Sequence, residues 1–366
     1  MNGNATTPLR PRDRRRARRR RGLTAGATGL AVALGLGLAS LARGHAEASP
    51  ASPASHGTPA ARGAQDPADG SGRAAGKAVR TAYAGDDSVP AGAGPDPQGP
   101  EQTDFSSAFG YSLTHPTAAP AGANDWSCRP GPAHPDPVVL VHGTFENRYA
   151  NWAALAPRLK RAGYCVYALN YGAAEAAPLK ATGDIVASAG QLAAFVDRVR
   201  TSTGAAKVDL VGHSQGGLMP RYYIDRLGGA AKVARLVALT PPNHGTTFDG
   251  MGLLARAIPG AGLLLGASCP ACEQQVVGSD FLRDLNSGTG GTSAGVDYTV
   301  IATVHDQVVT PFTSSYLTPG ANITNHTVQT YCLTNTSDHL DIGYDPAAAR
   351  LVLNALDSAN AERPAC

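Results

Sequence analysis

The chain reads as an α/β protein: a mostly parallel central sheet with helices on both faces. Two observations predict this. Short apolar runs rich in Val, Ile and Leu recur from Val138 onward, as in strands buried on both faces. Between them, apolar residues return at three- and four-residue spacing, so strand and helix patterns alternate along most of the second half.

The elements follow in order. Val138–Val141 is the first strand, and Trp152, Leu155 and Leu159, with Arg158 and Lys160 on the other side, form a helix. A strand is expected over 164–169, then a long helix with Ile185, Leu192, Phe195, Val196 and Val199 on one face. Residues 208–211 form the third strand and lead into helical spacing over 218–227. Val233–Leu239 and 298–304 supply two more strands, and Pro346–Leu356 is the last helix. The stretch 244–295 breaks the rhythm; it is Gly-rich, carries Leu263-Leu264-Leu265, and reads as an insertion that could act as a lid.

Composition sets the boundaries. Of 366 residues, 43 are Gly and 27 are Pro, more than one compact domain usually carries, so part of the chain is expected to be unfolded. Residues 1–48 hold ten Arg, a charge-free stretch over 23–41 and the small-x-small site Ala46-Glu47-Ala48. This pattern predicts a signal peptide, with an uncleaved anchor as the alternative. Arg20-Arg21 leaves the twin-arginine and general export routes both open. Residues 49–104 are Ala, Gly, Pro, Ser and Asp with few large apolar side chains, and predict a disordered spacer or propeptide. The catalytic domain is expected over 105–366, with Phe105, Phe109, Tyr111 and Trp126 available to dock on its core.

The formal charge of +3 resides in the leader. After residue 48 the chain holds 21 basic and 26 acidic side chains, a net −5. A nucleic-acid partner is therefore not expected, since phosphate contacts need a basic face on the folded part. No later segment is apolar enough to span a membrane, so a secreted, monomeric protein is expected, with cell-wall association as the alternative. The six cysteines all follow residue 127. In an exported chain they predict three disulfides, with fifteen pairings open in principle. The favoured set is Cys128–Cys165, Cys269–Cys272 and Cys332–Cys366, the last stapling the carboxyl terminus. A Cys-x-x-Cys pair can also be a redox centre or half a zinc site, but nothing around Cys269-Pro-Ala-Cys272 supports either.

Two G-x-S-x-G matches occur, and context separates them. Gly291-Thr-Ser-Ala-Gly295 follows another Gly-rich segment and reads as a loop. Gly212-His-Ser-Gln-Gly216 follows the strand at 208–211 and precedes a helix, the setting in which a serine is lifted above a sheet edge. There the glycines at −2 and +2 must lack side chains to avoid clashing, and the helix N-terminus favours developing negative charge. Ser214 is the candidate nucleophile; the alternative is a serine that only caps the helix. Pro220 must then lie in the early turns of that helix.

A serine needs a histidine to take its proton and a carboxylate to orient that histidine. In the α/β-hydrolase arrangement the acid and then the base follow the serine. His339, before the final helix, is the candidate base over His244, His305 and His326. Asp306, at the end of the strand over 298–304, is the candidate acid over Asp338 and Asp341. Two backbone N–H groups must receive the oxyanion. These are expected from Gln215 and from Thr144 in His142-Gly-Thr-Phe145, with the Thr144 hydroxyl as a candidate third donor. His142 is expected to brace that loop by hydrogen bonds.

With these residues in place, the chain resembles the secreted class 2 lipases of actinomycetes, in the α/β-hydrolase superfamily, over residues 125–366. The marks are Val139-Leu-Val-His-Gly-Thr-Phe145, Val208-Asp-Leu-Val-Gly-His-Ser-Gln-Gly-Gly217, residues 298–311 and Ser337-Asp338-His339. The resemblance implies hydrolysis of acyl esters, acylglycerols foremost, through an acyl-serine intermediate and with no cofactor or metal. It implies Ser214, Asp306 and His339 as the triad and Thr144 with Gln215 as the oxyanion hole. The leader, the spacer and the Cys269–Cys272 loop lie outside the family pattern. A non-lipolytic esterase, polyester depolymerase, acyltransferase or amide hydrolase would use the same triad. A noncatalytic surface-binding protein on this fold is the alternative from another class.

Overall fold

The computed structural model describes residues 96–366. The expected signal peptide and most of the expected spacer lie outside the described residues. Six strands form one parallel sheet in the order β2-β1-β3-β4-β5-β6. They are β1 Val138–Val141, β2 Val166–Leu169, β3 Val208–His213, β4 Val233–Leu239, β5 Asp297–Ala302 and β6 Ile323–Thr327. Among the described residues, no helix is long and apolar enough to cross a membrane.

Every residue of β1, β2 and β3 is buried, which is why β1 and β2 read as apolar runs, while β3 also encloses Asp209 and His213. Their side chains alternate between two cores. Val139, Val141 and Leu210 enter one, with Phe195 and Val199 of helix α4 (Ile185–Thr203) and Leu218 and Tyr223 of α5 (Gln215–Arg226). Phe105 and Phe109 of α1 (Phe105–Thr114) join this core with Trp126. Val138, Leu140 and Val211 enter the other, with Trp152 of α2 (Arg148–Trp152), Leu155 and Leu159 of α3 (Leu155–Arg161) and Leu351 and Val352 of the last helix (Pro346–Leu356).

Four findings refine the sequence reading. First, the helix expected around Trp152–Leu159 is two short helices. Pro157 has no N–H to give to Ala153 O in a continuous helix, and that carbonyl accepts from Gln102 N instead. Second, β6 went unseen because it is a polar, half-buried edge strand, Ile-Thr-Asn-His-Thr. The Asn325 side chain accepts from Leu317 N at 3.1 Å and donates to Leu317 O at 2.8 Å. Third, the insertion is helical, with α6 Phe248–Ala257, α7 Ala261–Ala267, α8 Pro270–Gln274 and α9 Asp280–Leu285. Thr247 and Ser279 cap α6 and α9, signals hidden among the glycines.

Fourth, the inner edge of the expected spacer moves. Residues 96–104, assigned to it, are tied to the domain. Asp96 accepts from Arg148 at 3.0 Å and from Trp126 Nε1 at 3.1 Å, and Gln98 Nε2 donates to Ala123 O at 2.9 Å. Polar side chains make these ties, so an apolar count did not reveal them. The cysteines are paired as Cys128–Cys165, Cys269–Cys272 and Cys332–Cys366.

Candidate active site

The strand order decides where the site forms. From β1 the chain moves outward to β2, then returns to place β3 on the other side of β1. The loops leaving the carboxyl ends of β1 and β3 therefore diverge to opposite sides and open a crevice between them. The loop after β1 carries Gly143, Thr144, Phe145 and Glu146; the turn after β3 carries Ser214.

Ser214 has φ 53° and ψ −124°, a strained backbone for a residue with a side chain. Its glycine neighbours explain how the turn closes. A Cβ on Gly212 would lie 1.8 Å from Gly216 O, and one on Gly216 would lie 2.0 Å from Val141 O. Any side chain at either position would open the elbow. Helix α5 starts at Gln215, and its first N–H groups have no acceptor within the helix. Pro220 sits in its second turn, slightly deeper than expected but still near the start.

Asp306 and His339 come together, and the His339 carbonyl lies 2.7 Å from Nε2 of His213, the residue before Ser214. His339 Nδ1 lies 3.0 Å from each Asp306 carboxylate oxygen. Asp306 Oδ1 also accepts from Val308 N and Val309 N at 2.8 Å, which fixes the carboxylate plane. His339 is buried, and its Nε2 has no hydrogen-bond partner. The competing residues are occupied or turned outward. Asp338 Oδ1 accepts from Leu340 N and Asp341 N in its own turn. His244 and His305 are exposed, and His326 Nδ1 pairs with Tyr331 OH at 2.8 Å.

The side chains of Thr144 and Gln215 meet, and the Thr144 hydroxyl, the candidate third donor, is engaged there. It donates to Gln215 Oε1 at 2.7 Å. It also accepts from Gln275 Nε2 at 3.0 Å, and that amide lies 3.3 Å from Gln215 Oε1. Gln275 follows α8, so the insertion reaches both oxyanion candidates. No motif marked it, because its partners are distant in sequence.

His142 braces its loop. Its Nδ1 donates to Gly143 O at 2.9 Å, its ring stacks on Tyr171, and Tyr171 OH donates to His142 O at 2.6 Å. Burial pushes its pKa down to about 4, so the ring is neutral.

Sequence reasoning missed a second layer beneath these residues. Thr303 Oγ1 donates to Ser337 O at 2.7 Å and accepts from Gln329 Nε2 at 2.9 Å, tying the loops of Asp306 and His339 together. Glu146, Asn151 and His213 are buried beside Gly143. Gly143 N–H is shared between Asn151 Oδ1 at 2.9 Å and Glu146 Oε2 at 3.1 Å. His213, inside the serine motif, was the one visible signal. Among the described residues, no three His, Cys, Asp or Glu side chains are grouped to hold a metal ion.

Comparison with known proteins follows this geometry. Triacylglycerol lipases of Pseudarthrobacter phenanthrenivorans and Burkholderia plantarii are each 36% identical over 122 residues. That stretch is 31% of this chain and 34% and 31% of those proteins, so the chain spans about a third of the curated relatives it matches. Lipase B of Aspergillus fumigatus shares the fold, with a TM-score of 0.53, 22% identity, and coverage of 75% of this chain and 65% of that one. The family model described as Lipase (class 2) matches residues 135–349. That match runs from just before β1 into the last helix and includes the elbow, the acid and the histidine, so the chain belongs to the class 2 lipase family.

Proposed function

We propose that this protein is a secreted serine carboxylic-ester hydrolase acting on acylglycerols. The observation that carries the reading is the His339–Asp306 pair, which leaves His339 Nε2 buried and unpartnered while the His339 carbonyl meets His213, the neighbour of the strained Ser214. Such a nitrogen can accept a proton from Ser214 as its oxygen attacks the ester carbonyl carbon. The negative charge then develops on the carbonyl oxygen, where the N–H groups of Gln215 and Thr144 receive it. Collapse expels the alcohol, which takes the proton from His339 and leaves an acyl-serine. Water repeats the sequence, with His339 again as base, and releases the carboxylic acid. A protonated His339 cannot begin either half.

The insertion supports lipid as the substrate class. Phe248 and Leu253 of α6 and Leu263 and Leu265 of α7 are exposed, Leu263 at 81% and Phe248 at 76%. Leu264 instead packs against the core. An apolar surface on short helices beside the site suits contact with a lipid–water interface. The leader at residues 1–48 and the three disulfides support export.

The test is hydrolysis of p-nitrophenyl esters of short to long acyl chains by wild type beside Ser214→Ala. The expected result is wild-type activity that falls at least ~10⁴-fold in the variant, as for other triad serines. Full activity in the variant, or none in the wild type, would overturn the proposal.

A further inference from the structure

His213 stands next to the elbow serine, and all its ring partners are acceptors. Its Nε2 lies 2.7 Å from the carbonyl oxygen of His339. Its Nδ1 lies 3.2 Å from Glu146 Oε2 and 3.2 Å from Asn151 Oδ1. A carbonyl can only accept. Asn151 presents oxygen, not nitrogen, because the same atom receives Gly143 N–H; Glu146 Oε2 receives that N–H too. A hydrogen on each ring nitrogen satisfies all three of these acceptors at once. So protonated, the ring is an imidazolium beside the Glu146 carboxylate, with neither side chain open to solvent.

We propose that Glu146 and His213 form a buried ion pair that positions the base, by holding the main-chain carbonyl of His339. The proposal rests on the reading of His339 as that base. His339 is then held at two points: Asp306 on its ring and His213 on its backbone. The rings of His213 and His339 lie 5.0 Å apart between centroids, and Gly143 hangs from the same two acceptors as His213. One charged pair thus ties the oxyanion loop, the serine's neighbour and the base into a single body. Glu146 and His213 are positioning residues; neither touches the reacting atoms.

The groups around the pair agree with this charge. From the loop after β1 comes His142, held neutral by burial. Asp306, after β5, adds attraction for an imidazolium. The Tyr171 and Tyr344 phenols stay protonated, burial pushing both well above the ordinary value. Burial opposes a charge on His213, but Glu146, their hydrogen bond, the His339 carbonyl and Asp306 together raise its pKa. Burial likewise opposes the Glu146 carboxylate, yet His213 and Gly143 N–H hold its pKa below the ordinary value. The sign follows: with a raised pKa, the clamp is complete at lower pH and is lost as pH climbs through that value.

Two measurements on the full-length chain test this. Long-range ¹⁵N NMR of the histidine side chains, with His213 assigned by comparison with His213→Asn, reads the charge directly. Both ring nitrogens should appear protonated at pH 7.5; a neutral tautomer overturns the pair. In parallel, kcat and KM for p-nitrophenyl butyrate are followed against pH. Glu146→Gln should lower kcat by about 10- to 100-fold, the scale of a small misplacement of a reacting group, with KM little changed. It should also bring the alkaline fall in activity down by about one pH unit or more, since the stabilising charge is gone. Glu146→Asp should restore part of both. A folded Glu146→Gln with wild-type kcat and alkaline limb would overturn the clamp while the esterase stands. If Glu146→Gln fails to fold, the wild-type NMR result still decides. A wild type with no serine-dependent hydrolysis would remove the function itself, and the positioning role with it.

Discussion

Strand β3 carries an acid–base pair near each end, and the two are built differently. At the carboxyl end, His213 meets Glu146 with both side chains fully enclosed. At the amino end, Asp209 meets Arg235 at 3.0 Å, but the arginine side chain is 34% exposed and also faces Asp136 at 3.7 Å. The upper pair is completed by backbone groups of two loops that carry candidate site residues, Gly143 N–H on Glu146 and the His339 carbonyl on His213. The lower pair joins β3 to β4, with Asp136 of the segment before β1 beside it. Burial pushes Asp209 up to about 7 in spite of Arg235, with Asp136 adding to the rise, whereas Glu146 moves down. A buried charge is held by the number of hydrogen bonds it receives as much as by its counter-ion. The upper end of the sheet uses that to fix geometry; the lower end tolerates a weaker solution because no chemistry depends on it.

The comparison predicts that changes at the upper end alter rate, while those at the lower end alter stability. Largest in effect is Asp306→Asn, expected to lower kcat about 10⁴-fold with little change in Tm, because an amide oxygen can still accept from Val308 and Val309. A loss below tenfold in ester hydrolysis would put the orienting acid elsewhere. Gln275→Ala should cost roughly tenfold in kcat/KM, the scale of one buried hydrogen-bonding group. Unchanged kinetics would separate the insertion from the oxyanion site. Leu263→Ser with Leu265→Ser should reduce hydrolysis of emulsions about five- to tenfold through lost apolar contact, and leave soluble short esters near wild type. Equal losses on both would remove the interfacial role.

The smallest effect belongs to Asp209→Asn, which should leave kcat intact. Asp209 titrates near 7 in the fold, above the value of about 3.9 for a free aspartate. Between these values the folded chain keeps a proton that the unfolded chain has released. The stabilising contribution is therefore full below the free value and is lost as pH rises toward 7. Tm measured at pH 4.5 and pH 8 should show the variant gaining on wild type as pH rises. A constant difference would mean that Asp209 is ionised throughout.

Legibility in the sequence followed burial. Strands β1 to β5 were visible because strands covered on both faces are mostly apolar, and β6 was not because an edge strand need not be. The elbow was visible because its backbone admits only glycine at 212 and 216. Asp306 and His339 could be nominated from their places after a strand and before a helix, and the structure brings them to hydrogen-bonding distance. Gln275, Thr303, Gln329, Glu146 and Asn151 left no local trace. Each works through one or two partners far along the chain, and a single polar residue in a loop looks the same whether it meets water or another side chain.

The chain by itself determined the strand–helix alternation, the family motifs and the strained turn, because these depend on near neighbours and on steric limits that act within a few residues. The tertiary structure alone decided what the Thr144 hydroxyl donates to, which loop the insertion touches, and which acceptors surround the His213 ring. Those outcomes depend on which acceptors surround a group once water is excluded, and only the packed fold brings those acceptors together.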